Sequence, residues 1–282
     1  MFKSLIKISN HQLLLPFYHL VSDKEPNFVK GLYKPRTIAQ FKTDLEVFLK
    51  YYEPITLEQV IKYNKGKIKL SKPSFHLTFD DGLSNFYHIV APILLKKGIP
   101  ATVFLNTGFI DNKDLFYRYE SVLFEKETKN KKHETREAKI QNFLKNQKPY
   151  LTLKQVKELQ KQGFTFGAHS VNHPLYSSIN LTEQIKQTKD SLQWVRDNLN
   201  EKYKVFSFPF HDLGVTKKLF KQIENYVDIT FGTSGFNKDE ISTNLHRLDM
   251  EKSIGNTKSF LIKEYIKLMT KKVLGRYKII RK

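Results

Sequence analysis

Leu77-Thr78-Phe79-Asp80-Asp81-Gly82 is a short apolar run that ends in two adjacent carboxylates and a glycine. It follows Pro73-Ser74-Phe75-His76, and residues 74–79 read as a buried strand that stops at a turn. Adjacent residues on a strand point to opposite faces. Two neighbouring acids at a strand's end can take different tasks only if the chain turns there, which Gly82 permits. One acid can then hold a metal while the other handles a proton. An Asp-Asp-Gly turn taken alone is more often just a solvated turn, so the rest of the chain must decide.

Strand and helix patterns alternate on both sides of this stretch. Residues 12–18 read as a buried first strand running into His19-Leu20-Val21. Residues 37–51 are a helix with Phe41, Leu45, Phe48 and Leu49 on one face. Thr56-Leu57-Glu58-Gln59 and Thr152-Leu153-Lys154-Gln155 are capping-box starts. Residues 85–97 are amphipathic and stop at Gly98, with Pro92 expected to bend or divide them. Further strands are expected at 101–105, 164–168, 205–208, 229–231 and 245–250, and further helices at 182–198 and 216–224. Such alternation implies a parallel sheet. With 282 residues, a distorted (β/α) barrel of about seven parallel strands fits better than an open sheet. The whole chain, 1–282, reads as a single domain. Residues 111–150, which include the polar run 125–134, read as a helical surface insertion, and 259–282 as a basic tail.

The composition narrows the classes. The hydrophobic fraction is 40%, enough for a large core, and the absence of cysteine excludes disulfides and thiolate metal sites. Lys+Arg exceed Asp+Glu by 48 − 28 = 20. That excess suits an anionic glycan or membrane surface as a peripheral contact, or reflects a lysine-rich coding bias. No run approaches a transmembrane span. The first residues show neither an uninterrupted apolar core nor a small-residue cleavage site. A cytoplasmic location is the expectation, with peripheral membrane association as an alternative.

Four polar clusters fall where the expected strands end: His19, Asp80-Asp81, His169 with His173, and Pro209-Phe210-His211. In (β/α) barrels the catalytic groups collect at those ends. Two imidazoles and one carboxylate make a three-ligand catalytic metal site with an open position. His76, on the buried strand, reads instead as a satisfied core histidine.

Thr78-Phe79-Asp80-Asp81-Gly82 and His169-Ser170-Val171-Asn172-His173 resemble the first two signature motifs of polysaccharide deacetylases, the NodB-homology group of carbohydrate esterase family 4. Gly98-Ile99-Pro100-Ala101-Thr102-Val103-Phe104-Leu105 is similar to that family's usual continuation. Phe17-Tyr18-His19-Leu20-Val21 and Tyr52-Glu53-Pro54-Ile55-Thr56-Leu57 resemble a subgroup of permuted motif order, typified by poly-N-acetylglucosamine deacetylases.

The resemblance implies a hydrolase that removes N-acetyl groups from a sugar or polysaccharide. A divalent metal would be held by Asp81, His169 and His173, with zinc expected and cobalt or nickel as alternatives. Water activated there would attack the amide, with Asp80 as base, His19 as general acid, and a backbone N–H near Phe210 for the oxyanion. Departures accompany the resemblance. His211 stands where the family has glycine, and the usual arginine before Pro209 is missing. Arg247 is its candidate replacement, and His246 and His211 are rivals of His19 for the acid role. Tyr117, Arg118 and Tyr119 either pack the insertion onto the barrel or cap a sugar site. A deformylase or other C–N amide hydrolase on a sugar, and a catalytically silent glycan-binding protein, are the alternative functions. A nucleic-acid partner is not expected.

Overall fold

The computed structural model describes residues 2–124, 135–253 and 255–282. Eight parallel segments share one sheet: β1 (Pro16–Tyr18), β2 (Leu77–Phe79), β3 (Ala101–Leu105), β4 (Thr165–Ala168), β5 (Val205–Ser207), β6 (Ile229–Gly232), β7 (Asn244–His246) and β8 (Leu248–Asp249). Their order across the sheet is β7-β6-β5-β4-β3-β2-β1-β8. β7 and β8 are two halves of one run interrupted only at Arg247. The Arg247 amide donates to the Gly232 carbonyl at 3.0 Å, and the Leu248 amide donates to Leu15 at 2.8 Å. The final strand therefore crosses from β6 to β1 and closes the ring. Eight segments with two in series leave seven positions around the barrel, as the alternation predicts.

The helices are α1 (Phe2–Ser9), α2 (Ile38–Tyr51), α3 (Leu57–Asn64), α4 (Ala91–Lys97), α5 (Tyr117–Phe124), α6 (Arg136–Gln147), α7 (Leu153–Lys161), α8 (Leu181–Leu199), α9 (Lys217–Ile223) and α10 (Thr257–Val273). Capping boxes at Thr37, Thr56 and Thr152 start α2, α3 and α7. No helix of the described residues is long and apolar enough to cross a membrane.

The period of two sets what faces the centre. On β2, Leu77 and Phe79 join the core between sheet and helices, while Thr78 points inward to the Arg247 guanidinium at 3.0 Å. On β4, Phe166 and Ala168 join the same outer core, and Gly167 faces in. A Cβ on Gly167 would lie 2.6 Å from the Phe104 ring, so the packed interior admits only glycine there.

Several local features depart from the sequence patterns. The first strand is split: Leu13–Leu14 pairs with Ser74–Phe75 in a small three-stranded sheet, and Pro16–Tyr18 then enters the ring. Pro16 has no N–H to give a ladder, and it stands at the break. The 85–97 helix, by contrast, is divided as Pro92 implies, into a π-type turn, Phe86–Val90, and α4, whose first turn carries Pro92. Helix α1 was not anticipated; Phe2 and Ile6 are buried, and Phe2 meets Tyr51 and Tyr265 edge-on. The insertion is more than a surface excursion. Its Leu115, Phe116, Tyr119, Ile140, Leu144 and Tyr150 form an apolar cluster with Leu20, Phe28 and Leu83. The run 125–134 lies outside the described residues. The basic tail is not wholly solvated either, since Lys278–Ile279 pairs with Lys238–Asp239 and Arg281 is buried.

Candidate active site

The strand alternation that turns Thr78 inward turns Asp80 inward as well. Its carboxylate receives both Arg247 Nη atoms, each at 2.7 Å, and the Ser207 hydroxyl at 3.5 Å. Arg247 is fully buried, over the Phe17 ring at 4.5 Å, and also donates to Ser207 at 2.6 Å. Burial opposes the charge on Asp80, but the Arg247 charge and hydrogen bonds outweigh it and hold its pKa below the ordinary carboxylate range. Arg247 thus pairs with Asp80 from the break between β7 and β8, not from the residues just before Pro209 where the sequence lacks an arginine.

Asp81 leaves the strand. Its φ of 69° is left-handed, Gly82 follows at 63°, and the carboxylate is brought back over the barrel mouth. Asp81 Oδ1 lies 3.6 Å from His169 Nε2 and 3.2 Å from His173 Nε2. His169 ends β4, and its Nδ1 is 2.8 Å from the Ser207 carbonyl. A carbonyl only accepts, so Nδ1 carries the proton and Nε2 presents a lone pair to the site. Burial drives the His169 pKa down to about 4, which keeps the ring neutral. Ser170 at φ 70° and His173 at 58° bend the following loop, and Ser170 Oγ accepts from the His173 amide at 3.0 Å. Among the described residues, four of nine non-glycine positive-φ residues (Asp81, Ser170, His173, Phe210) stand at this mouth. Strain concentrated there is what a built site shows.

The ligand atoms of Asp81, His169 and His173 lie within 4.8 Å of one another. Asp81 Oδ1, His169 Nε2 and His173 Nδ1 are buried without a hydrogen-bond partner among the described residues. Buried polar groups are costly unless satisfied, so the neutral His169 ring, the His173 imidazole and a bare carboxylate oxygen fit a divalent cation. Asp212, Asp239 and His246 also lie within 4.8 Å of one another. There the Arg281 guanidinium pairs with both acids, and Asn244 donates to each at 2.9 Å. That second group is a satisfied ion-pair cluster.

His19 follows β1 at the same mouth. Its Nδ1 is 2.8 Å from Glu251 Oε2, while Glu251 Oε1 accepts from the amides of His19 and Leu20 at 2.8 and 3.1 Å. The ring stacks on Tyr33 at 5.1 Å. Burial lowers the pKa, but the Glu251 charge and hydrogen bond, with Asp81 and Asp80 behind them, raise it to about 10. Glu251 was not singled out from the sequence. It lies 232 residues from His19 in an ordinary 3₁₀ turn, Met250–Lys252, and only ring closure joins them.

His246 does not belong to this group. Arg247 points inward, so its strand neighbour points out, where His246 Nε2 meets Asp239 at 2.9 Å and Nδ1 accepts from the Ser234 amide at 3.3 Å. Its expected rivalry with His19, and a place beside the substrate, are corrected by the strand period, which turns it out toward Asp239. Phe210, at φ 58°, lays its ring edge-on to His173 at 4.6 Å, just after Pro209. His211 N–H closes a tight turn onto Pro209 at 2.7 Å, and no ion pair holds His211 among the described residues. The insertion reaches the site: Phe116 meets His173 at 4.5 Å, Arg118 lies 5.6 Å over Phe210, and Tyr119 bonds Asp81 Oδ2 at 3.4 Å. Tyr117 is exposed. His76 is satisfied in the core, between Ile55 O and Thr102 Oγ1, each at 2.8 Å.

Comparison with known proteins agrees with this geometry. A family model described as polysaccharide deacetylase matches residues 67–231. Poly-beta-1,6-N-acetyl-D-glucosamine N-deacetylase of Staphylococcus epidermidis is 34% identical over 116 residues, 37% of this chain and 39% of that protein. The matched part thus spans less than half the length of that relative. The fold resembles the Streptococcus pyogenes deacetylase PplD, solved in complex with acetate (TM-score 0.67, 19% identity, 90% of this chain and 97% of that one). It equally resembles IcaB from Ammonifex degensii (TM-score 0.67, 14% identity, 90% and 97% covered). With the family model covering more than half of its 282 residues, the chain belongs to the polysaccharide deacetylase family.

Proposed function

We propose that the protein is a metal-dependent hydrolase that removes N-acetyl groups from an N-acetylated sugar or polysaccharide. The observation that carries this reading is a buried triad in which Asp81 Oδ1 and His169 Nε2 have no hydrogen-bond partner and His173 Nε2 lies 3.2 Å from that same oxygen, set beside a separately clamped carboxylate, Asp80. A binding protein has no use for that pairing. When bound, a divalent cation supplies Lewis acidity that polarises the amide carbonyl and lowers the pKa of water.

The chain's own groups supply the remainder. Arg247 keeps Asp80 ionised and aimed at the mouth, where it takes the proton of the attacking water. A carboxylate has about four acceptor sites, so bidentate pairing leaves capacity for that proton. In this reading the backbone N–H of Phe210, whose ring lies edge-on to His173, donates to the tetrahedral oxyanion. His19, held protonated by Glu251, gives its proton to the departing amine. Acid and base thus have widely separated pKa values, each set by its own partner.

The test is acetate release from N-acetylated mono-, oligo- and lipid-linked sugars, after chelation and again with zinc or cobalt restored. Release should vanish on chelation and return with metal. The His169→Ala/His173→Ala double variant should take up no metal. Metal-replete protein that releases no acetate from any of these substrates would sink the proposal.

A further inference from the structure

The two oxygens of Asp81 have different surroundings. Oδ1 is the bare one, facing both histidines, whereas Oδ2 accepts from the Tyr119 hydroxyl at 3.4 Å. Tyr119 is buried, 1% exposed, and comes from α5 of the insertion. Its hydroxyl is 2.9 Å from that of Tyr33, whose ring stacks on His19. An ionised carboxylate only accepts, so Tyr119 must donate to Asp81 and accept from Tyr33. The direction of both bonds follows.

We infer that Tyr119 is a positioning residue of the metal site: it holds Asp81 Oδ2 so that Asp81 ligates through Oδ1 alone. The insertion is then part of the machinery, and the Tyr33–Tyr119 pair ties the metal ligand to the ring that backs His19. A ligating carboxylate left without its outer hydrogen bond rotates toward two-oxygen ligation and loses preorganisation. Removing such a partner weakens metal affinity about 10–100-fold.

The inference rests on Asp81, His169 and His173 holding a metal, and the test separates the two. Apo protein is titrated with Co2+, following visible absorption, for wild type, Tyr119→Phe and Tyr52→Phe. Tyr52 is the matched control, a buried tyrosine whose hydroxyl donates to Tyr265 at 3.0 Å away from the site. Tyr119→Phe is expected to raise the Co2+ Kd at least about 10-fold. Its visible bands should also weaken as a second carboxylate oxygen raises the coordination number, with Tyr52→Phe matching wild type. Equal Kd and spectra in Tyr119→Phe and wild type would overturn the assignment, and so would equal weakening in both variants. If Tyr119→Phe does not fold, Tyr33→Phe takes its place: it removes the donor that orients Tyr119, and unchanged Co2+ binding would overturn the inference. Wild type that binds no Co2+ overturns the metal site itself.

Discussion

Glu251→Gln tests the proposed acid role of His19. Glutamine keeps the size of the side chain and still accepts from the His19 and Leu20 amides, so the turn persists while the charge at 2.8 Å from Nδ1 goes. In the native protein that charge overcomes burial and holds the His19 pKa up to about 10. A full opposite charge in contact moves a pKa by roughly 1–3 units, so the alkaline limb of acetate release should move down by about that amount. A cation bound at Asp81 would weaken the support from Asp81 and Asp80, but it does so in both proteins, and their difference reports Glu251. Stability follows the same sign. A folded pKa above the 6.5 of free imidazole means the pair stabilises fully below about pH 6.5, and its contribution fades as pH rises to about 10. Urea melts at pH 6 should therefore show the variant less stable by about 1.5–3 kcal/mol, the range for a hydrogen bond to a charged group. The gap should close by pH 10. Superimposable pH–rate limbs with equal stability at pH 6 would refute the reasoning and leave His19 without a tuned partner.

Asp80→Asn should retain metal, measured by elemental analysis, and lose about 10²–10⁴-fold in kcat, the usual worth of a general base. Undiminished acetate release would remove Asp80 from that role. Arg247→Ala leaves a buried carboxylate unpaired and should cost about 3–5 kcal/mol in urea unfolding, with acetate release lost as well; a cost below about 1 kcal/mol, as for a surface pair, would contradict the buried geometry. His246→Ala should destabilise through the Asp239 cluster yet keep kcat within a few-fold in folded protein, while His19→Ala is crippled. The reverse pattern would transfer the acid role.

Much of this site was legible in the chain because its parts are local in sequence. An apolar run ending in Asp80-Asp81-Gly82, and a second ending in His169 four residues before His173, announce two strand ends that bear ligands. Strand and helix periods then imply a parallel barrel that brings such ends together. The capping threonines and the divided helix at Pro92 are equally local, set by backbone hydrogen-bonding capacity. Three decisions needed the closed ring. Arg247 and Glu251 reach Asp80 and His19 across 167 and 232 residues, a juxtaposition no local pattern encodes. Which of the neighbours His246 and Arg247 faces the site depended on register, since one step along a strand exchanges the barrel interior for its outside. The inserted segment reads as polar surface because its run 125–134 dominates its composition, yet Phe116 and Tyr119 pack down onto His173 and Asp81. Residue chemistry and periodicity thus determined which groups are candidates for the site; tertiary closure decided which partners set their charge and aim, because electrostatics act through space and not along the chain.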